Sequence, residues 1–147
     1  MIDPNQATPA LREAIEQFYF AYRAFTAGPD RILAQRGLGR VHHRILYFVG
    51  RHPGLAVNAL LALLAVSKQA LHRPLRELAA AGLVDVVVDP DDRRVRQLRL
   101  SDAGAALEAA LTGTQTALLA AVFSATGPAA ETGWRQVMAA LSEPSAD

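Results

Sequence analysis

Residues 66–104 read VSKQALHRPLRELAAAGLVDVVVDPDDRRVRQLRLSDAG, and the fold turns on them. Ser67 is placed as a helix N-cap, because its hydroxyl can accept a backbone N–H from the first turn. Leu71, Leu75 and Leu78 then recur at the three-and-four spacing of one buried helix face. Gly82 stands where a glycine ends a helix. Leu83–Val88 is apolar and β-branched, Asp89-Pro90-Asp91-Asp92 is a polar turn, and Val95–Leu100 alternates in the manner of a second strand. Ser101 caps the next helix. The order is therefore helix, hairpin, helix.

Upstream, Ala59–Leu64 reads as a short helix capped by Asn58 and apolar nearly all round, which predicts burial on most sides. Ala65-Val66 joins it to the following helix with helix-turn-helix spacing. Leu55-Ala56-Val57 is a strand-like bridge, and His52-Pro53-Gly54 ends an earlier helix whose apolar face is Val41, Ile45, Phe48 and Val49. At the start, Thr8-Pro9 opens a helix with a four-three seam of Leu11, Ile15, Phe18, Tyr22 and Phe25. Gly28-Pro29 is expected to break or kink it, with Asp30 capping a continuation. Downstream, Leu107, Leu111, Thr114, Leu118 and Val122 repeat the seam. After a break at Gly127-Pro128, Trp134, Val137, Met138 and Leu141 give a last amphipathic helix.

A helix-turn-helix followed at once by a charged hairpin is a winged helix. From Gly37 to Gly104 the chain resembles the MarR-type transcriptional regulators. The resemblance is carried by Val66-Ser67-Lys68-Gln69-Ala70-Leu71, by Leu75-Arg76-Glu77-Leu78 leading to Ala81-Gly82-Leu83-Val84, and above all by Asp89-Pro90-Asp91-Asp92-Arg93-Arg94 closed by Leu100-Ser101-Asp102-Ala103-Gly104. It implies a mainly α fold with a small β-hairpin wing. A winged helix-turn-helix over 37–100 would sit between an N-terminal helix and linker, 1–36, and C-terminal helices, 101–147, that together form a dimerisation lobe.

The candidate recognition helix begins with Ser67, Lys68 and Gln69, where side chains reach furthest into a major groove. Gln69 can pair bidentately with adenine, and Lys68 can donate to guanine or phosphate. His72 and Arg73 lie a turn on, and Arg76 suits a phosphate. The alternative for these residues is a solvated helix face. In the wing, the resemblance makes Arg94 the residue that enters the minor groove, with Asp92 bracing it and Arg93 and Arg96 on phosphates. A narrow minor groove has enhanced negative potential that suits an arginine. Three departures from the family pattern stand out. Pro74 removes an N–H inside the recognition helix and threatens a kink, Ala65 replaces a common turn glycine, and Ala62 and Leu63 stand where polar phosphate contacts are usual.

The chain has 147 residues, 51% of them apolar, enough for one domain with helical extensions. Its net charge of +1 conceals an asymmetry. Residues 31–99 hold twelve Arg and Lys against five acids, a surplus of +7, while the two ends are acidic. That distribution suggests an anionic partner for the middle. There is no cysteine, so no disulfide or thiolate metal site is expected. No signal peptide is read, and no run reaches membrane-span length, the most apolar being Leu55–Val66. A cytoplasmic protein without membrane contact is expected.

No nucleophile elbow, phosphate loop or HExxH is present, so no enzyme activity and no cofactor are expected. His42-His43 cannot easily chelate one ion, since adjacent helical residues point about 100° apart; partly buried histidines with local hydrogen bonds are expected instead of a metal site. By resemblance, a small aromatic or anionic effector would bind between the lobes, with Tyr22, Phe25, His43, Arg44, Tyr47 and Trp134 as candidate contacts. The resulting expectation is a homodimeric repressor of double-stranded DNA on a pseudo-palindromic operator. The alternative is a helical dimer acting through protein partners or ligand capture, without sequence-specific DNA binding.

Overall fold

The computed structural model describes residues 8–143. Its elements are α1 Thr8–Gln35, α2 Arg40–Arg51, β1 Leu55–Ala56, α3 Val57–Leu64, α4 Lys68–Ala80, β2 Val84–Val88, β3 Arg96–Leu100, α5 Asp102–Thr126 and α6 Pro128–Ser142. The strands form one antiparallel sheet in the order β1-β3-β2. The bridge thus joins the hairpin: Leu55 pairs with Leu98 and Ala56 with Gln97, while β2 and β3 pair from Val84–Leu100 to Val88–Arg96. One core runs through α1 to α5 and the sheet, built on Leu33, Ile45, Leu46, Val49, Leu60, Leu71, Leu78, Leu98, Leu107 and Leu111, while α6 lies outside it.

Ser67 caps α4, accepting the Ala70 N–H at 3.1 Å, and Ser101 caps α5, accepting the Gly104 N–H at 3.0 Å. Gly82 follows α4 with φ +73°, the left-handed stop that its position predicts. Both strands start one residue later than their apolar runs. Leu83 lies buried ahead of β2, and Val95 serves the wing loop, its N–H donating to the Asp92 carbonyl.

Three expectations for the helices fail, each for a tertiary reason. Gly28-Pro29 does not break α1, which continues to Gln35. Pro29 cannot donate to the Phe25 carbonyl, and the Gln115 side chain of α5 donates to that oxygen instead, at 3.4 Å. Gly28 marks a close helix approach, since a Cβ there would press on the Thr114 side chain. Asp30 pairs with Arg40 and caps nothing. Asn58 is not the cap of α3; Ala56, at the end of β1, holds that position. Finally, α3 is buried along one side only, at Leu60, while Ala62 and Leu63 are exposed.

Pro74 lies inside an unbroken α4, half-buried between the core positions Leu71 and Leu78. The turn ahead of α4 is less relaxed. Ala65 adopts φ +52° and is the sole non-glycine with positive φ among the described residues. An L-residue there costs about 1–2 kcal/mol. Ala65→Gly removes that cost but adds chain entropy to the unfolded state, so a net gain of roughly 0.5–1 kcal/mol is expected. Thermal melting should show it as a rise of a few degrees.

The buried part of α1 is Thr26, Pro29 and Leu33, not its long seam. Leu11, Ile15 and Phe18 are exposed, as are Leu118 and Val122 on α5 and Val137 and Leu141 on α6. By length and composition α5 would suffice to cross a membrane, which corrects the expectation that no run reaches that length. Alanines raise its mean hydropathy without making a continuous Leu/Val run. Its first half is bound into the fold: Leu107 and Leu111 enter the core, and Glu108, Thr112 and Gln115 are engaged in hydrogen bonds.

Candidate nucleic-acid interface and effector cleft

The hairpin loop is organised by Asp89. One of its oxygens accepts the N–H groups of Asp91 and Asp92, at 2.8 and 3.3 Å, and the other accepts from Gln97 Nε2 at 2.9 Å. This Asx-type turn presents Asp92 to Arg94. The Asp92 carboxylate then accepts Arg94 Nε at 3.1 Å and Nη2 at 3.2 Å, a two-pronged fork, while the Arg94 backbone N–H adds a third bond at 3.0 Å. Those bonds hold the Asp92 carboxyl below its ordinary value and favour the charged pair. Arg94 is nonetheless 90% exposed and projects from the wing. Arg93 and Arg96 are exposed beside it.

On α4, Ser67, Lys68, Gln69, His72, Arg73 and Arg76 are all exposed, opposite Leu71 and Leu78 in the core. Arg73 donates to Glu77 one turn on, at 3.1 Å. The α4 face and the wing arginines thus form two basic projections on one winged unit. The sequence marks Asp89 as a turn residue; its link to Gln97 crosses the hairpin and has no local signature.

A cleft of about 390 Å³ lies among α1, α2 and α5. Tyr22, Phe25, His43, Arg44 and Tyr47 line it. Trp134 does not; it packs edge-on against Phe123 on α5, ring centroids 5.3 Å apart, because α6 folds back on the far half of α5. Arg40, Asp30 and Thr112, which the periodicity did not single out, complete the wall. Arg40 reaches Asp30 at 2.9 Å and stacks over the Tyr22 ring at 5.4 Å, and Arg44 donates to the Tyr22 hydroxyl at 3.3 Å. The bond from Arg40 holds the Asp30 carboxyl below its ordinary range. Two guanidiniums against one carboxylate, with phenol and phenyl rings around them, suit an aromatic anion.

His43 is buried in that wall. Thr112 donates its hydroxyl hydrogen to Glu108 at 2.9 Å, so His43 Nε2, 3.2 Å from Thr112, is the donor of their bond. Burial pushes the His43 pKa below 6.5, although the Glu108 charge opposes it. The folded state therefore resists protonation that the unfolded chain accepts. The resulting stability is complete above pH 6.5 and declines as the pH falls through that value. Melting at pH 7.5 and 5.5 is expected to show this loss, with a smaller difference in His43→Gln. His42 turns the other way. Its Nδ1 accepts the Gly39 N–H at 2.9 Å and its Nε2 faces Glu77.

A MarR family model matches residues 36–95, the stretch from the end of α1 to the wing. The chain is also 47% identical over 135 residues to the HTH-type transcriptional regulator PetP of Rhodobacter capsulatus, across 92% of this chain and 81% of that one. The chain belongs to the MarR family. It is a helix-turn-helix transcriptional regulator. Among solved structures, a MarR family transcription regulator superposes with TM-score 0.76 at 27% identity, over 94% of this chain and 91% of the other. The MepR–DNA complex of S. aureus shares the fold, with TM-score 0.70 at 18% identity over 86% and 93%.

Proposed function

We propose that this MarR-family chain acts in the cytoplasm as a homodimeric repressor that binds a pseudo-palindromic site in double-stranded DNA. The observation that carries the reading is the pair of basic projections: the exposed N-terminal half of α4 and Arg94 held out by the Asp92 fork. In this reading α4 enters the major groove, Lys68, Gln69, His72 and Arg73 contact base edges or backbone, and Arg76, Arg93 and Arg96 contact phosphates. The MepR–DNA complex supports DNA as the partner of this fold. The exposed seams of α1, α5 and α6 support a second copy as the other partner, since single helices cannot hide them.

Fluorescence-anisotropy titration with DNA from the chain's own promoter region, over a salt series, tests the reading. Affinity should fall linearly on a log–log plot, by about 0.9 per phosphate contact. Salt-independent binding contradicts it. Light scattering should report about twice the 15.7 kDa chain mass.

The cleft supports a small aromatic acid as effector, which would release the DNA by shifting the helices that form its wall. Calorimetric titration with phenolic acids should show binding that Arg44→Ala weakens, with release of the promoter duplex. No heat and no release remove the effector. A second reading has the exposure of Leu63 on α3 in its favour, 47% where a phosphate-contacting residue would be polar. In it the dimer acts through protein partners or ligand capture, and a dimer without affinity for any duplex is its signature.

A further inference from the structure

One carboxylate joins α2 to the exposed face of α4. Glu77 Oε1 accepts from Arg73 Nε at 3.1 Å, and Glu77 Oε2 lies 3.6 Å from His42 Nε2. Because His42 Nδ1 accepts the Gly39 N–H, the ring's hydrogen sits on Nε2. That N–H is buried and has no hydrogen-bond partner among the described residues, and the acceptor it faces is Glu77. Arg73, in contrast, is 84% exposed among the side chains that α4 offers to solvent. The same α2 places His43 and Arg44 in the wall of the cleft.

We propose that Glu77, backed by His42, is a positioning residue that fixes the direction in which Arg73 leaves α4 and thereby raises discrimination between DNA sequences. The inference rests on reading α4 as the DNA-reading helix. A long free arginine samples many rotamers and takes the nearest phosphate, whichever the sequence. An arginine tied to a carboxylate is pre-organised toward one place, and its partial neutralisation weakens indiscriminate phosphate binding. His42 contributes from the protein side: its Nε2, 3.6 Å from the second carboxylate oxygen, faces that oxygen with its hydrogen, an attraction that opposes Glu77 following Arg73 outward.

The test measures affinity for the promoter duplex and for a scrambled duplex across salt, with melting temperature as a control. Glu77→Gln and His42→Leu are each made in the natural protein and in Arg73→Ala. Glu77→Gln should raise affinity for the scrambled duplex about threefold and steepen its salt slope by about one unit per protomer. The ratio of promoter to scrambled affinity should fall about tenfold. His42→Leu should lower the ratio in the same direction without adding a charge. Both effects should vanish in the Arg73→Ala background, the mark of coupling between neighbours.

Effects of equal size with and without Arg73 overturn the proposal, as does a fall in both affinities that simply tracks the melting temperature. If the natural protein binds promoter DNA and Arg73→Ala binds it equally well, this inference falls while the DNA-binding reading stands. If the natural protein binds no duplex, both fall.

Discussion

Arg94→Ala is expected to lower affinity for the promoter duplex about 100-fold while leaving the melting temperature unchanged. A directed arginine contact is worth about 1–3 kcal/mol, and a dimer would lose two of them; each 1.4 kcal/mol is about tenfold in affinity. The fold should not notice the change, because Arg94 is 90% exposed and, among the described residues, its side chain bonds to Asp92 alone, on the same loop. The Asp89 contacts to Asp91, Asp92 and Gln97 keep the loop closed without it. Anisotropy titration beside a thermal melt checks both halves. Unchanged affinity would remove the wing from the DNA interface. Asp92→Asn is expected to fall between the two, since the guanidinium keeps a hydrogen-bond acceptor but loses its charged brace. The Asp92 carboxyl, held below its ordinary value by Arg94, keeps its charge throughout pH 5.5 to 8, so the fork itself should add no pH dependence to binding in that window.

The largest stability effect is expected from Gly104→Ala. Gly104 is buried at the first turn of α5, and a Cβ on it would be driven into the backbone carbonyl of Leu83. That carbonyl cannot step aside. It accepts the Ser101 N–H at 3.1 Å, and the Ser101 hydroxyl donates to the Gly82 carbonyl at 2.6 Å, so the end of α4 and the start of α5 are fixed to each other. Overpacking of this kind costs about 3 kcal/mol or more when the neighbour is rigid. Melting should fall by roughly 10 °C for a chain of this size. Gly113→Ala, on the same helix with open space at its Cβ, serves as the control and should be neutral or slightly stabilising. Equal melting of the two variants would contradict the close approach at Leu83.

The winged unit was legible because its signals are local. Ser67 and Ser101 cap helices through bonds three residues away, Gly82 stops a helix by its own φ, and the Asp89–Asp92 turn closes over four residues. Leu71 and Leu78 needed only helical periodicity to be placed in the core. Five cleft residues were legible as aromatic and basic side chains along α1 and α2, but their joining in one wall was not a property of either helix. No local signal marks Arg40 for the cleft, because its partner Asp30 lies ten residues away across a turn, and none keeps Trp134 out of it, because the path of α6 is set by packing on α5.

The proline at position 29 marks the same boundary. Read locally, Gly28-Pro29 stops a helix, since the proline strips a carbonyl of its donor. The folded chain keeps the helix because Gln115, ninety residues away, supplies that donor, and because Gly28 lets Thr114 come close. The sequence by itself therefore determined the order of the elements, the winged helix-turn-helix and the basic middle, all of which rest on interactions within a turn or two of chain. Only the tertiary structure decided the continuity of α1, the third strand of the sheet, the membership of the cleft and the sharing of Glu77 between His42 and Arg73. Each of these depends on groups brought together from distant parts of the chain, and no local pattern encodes which distant donor will meet which acceptor.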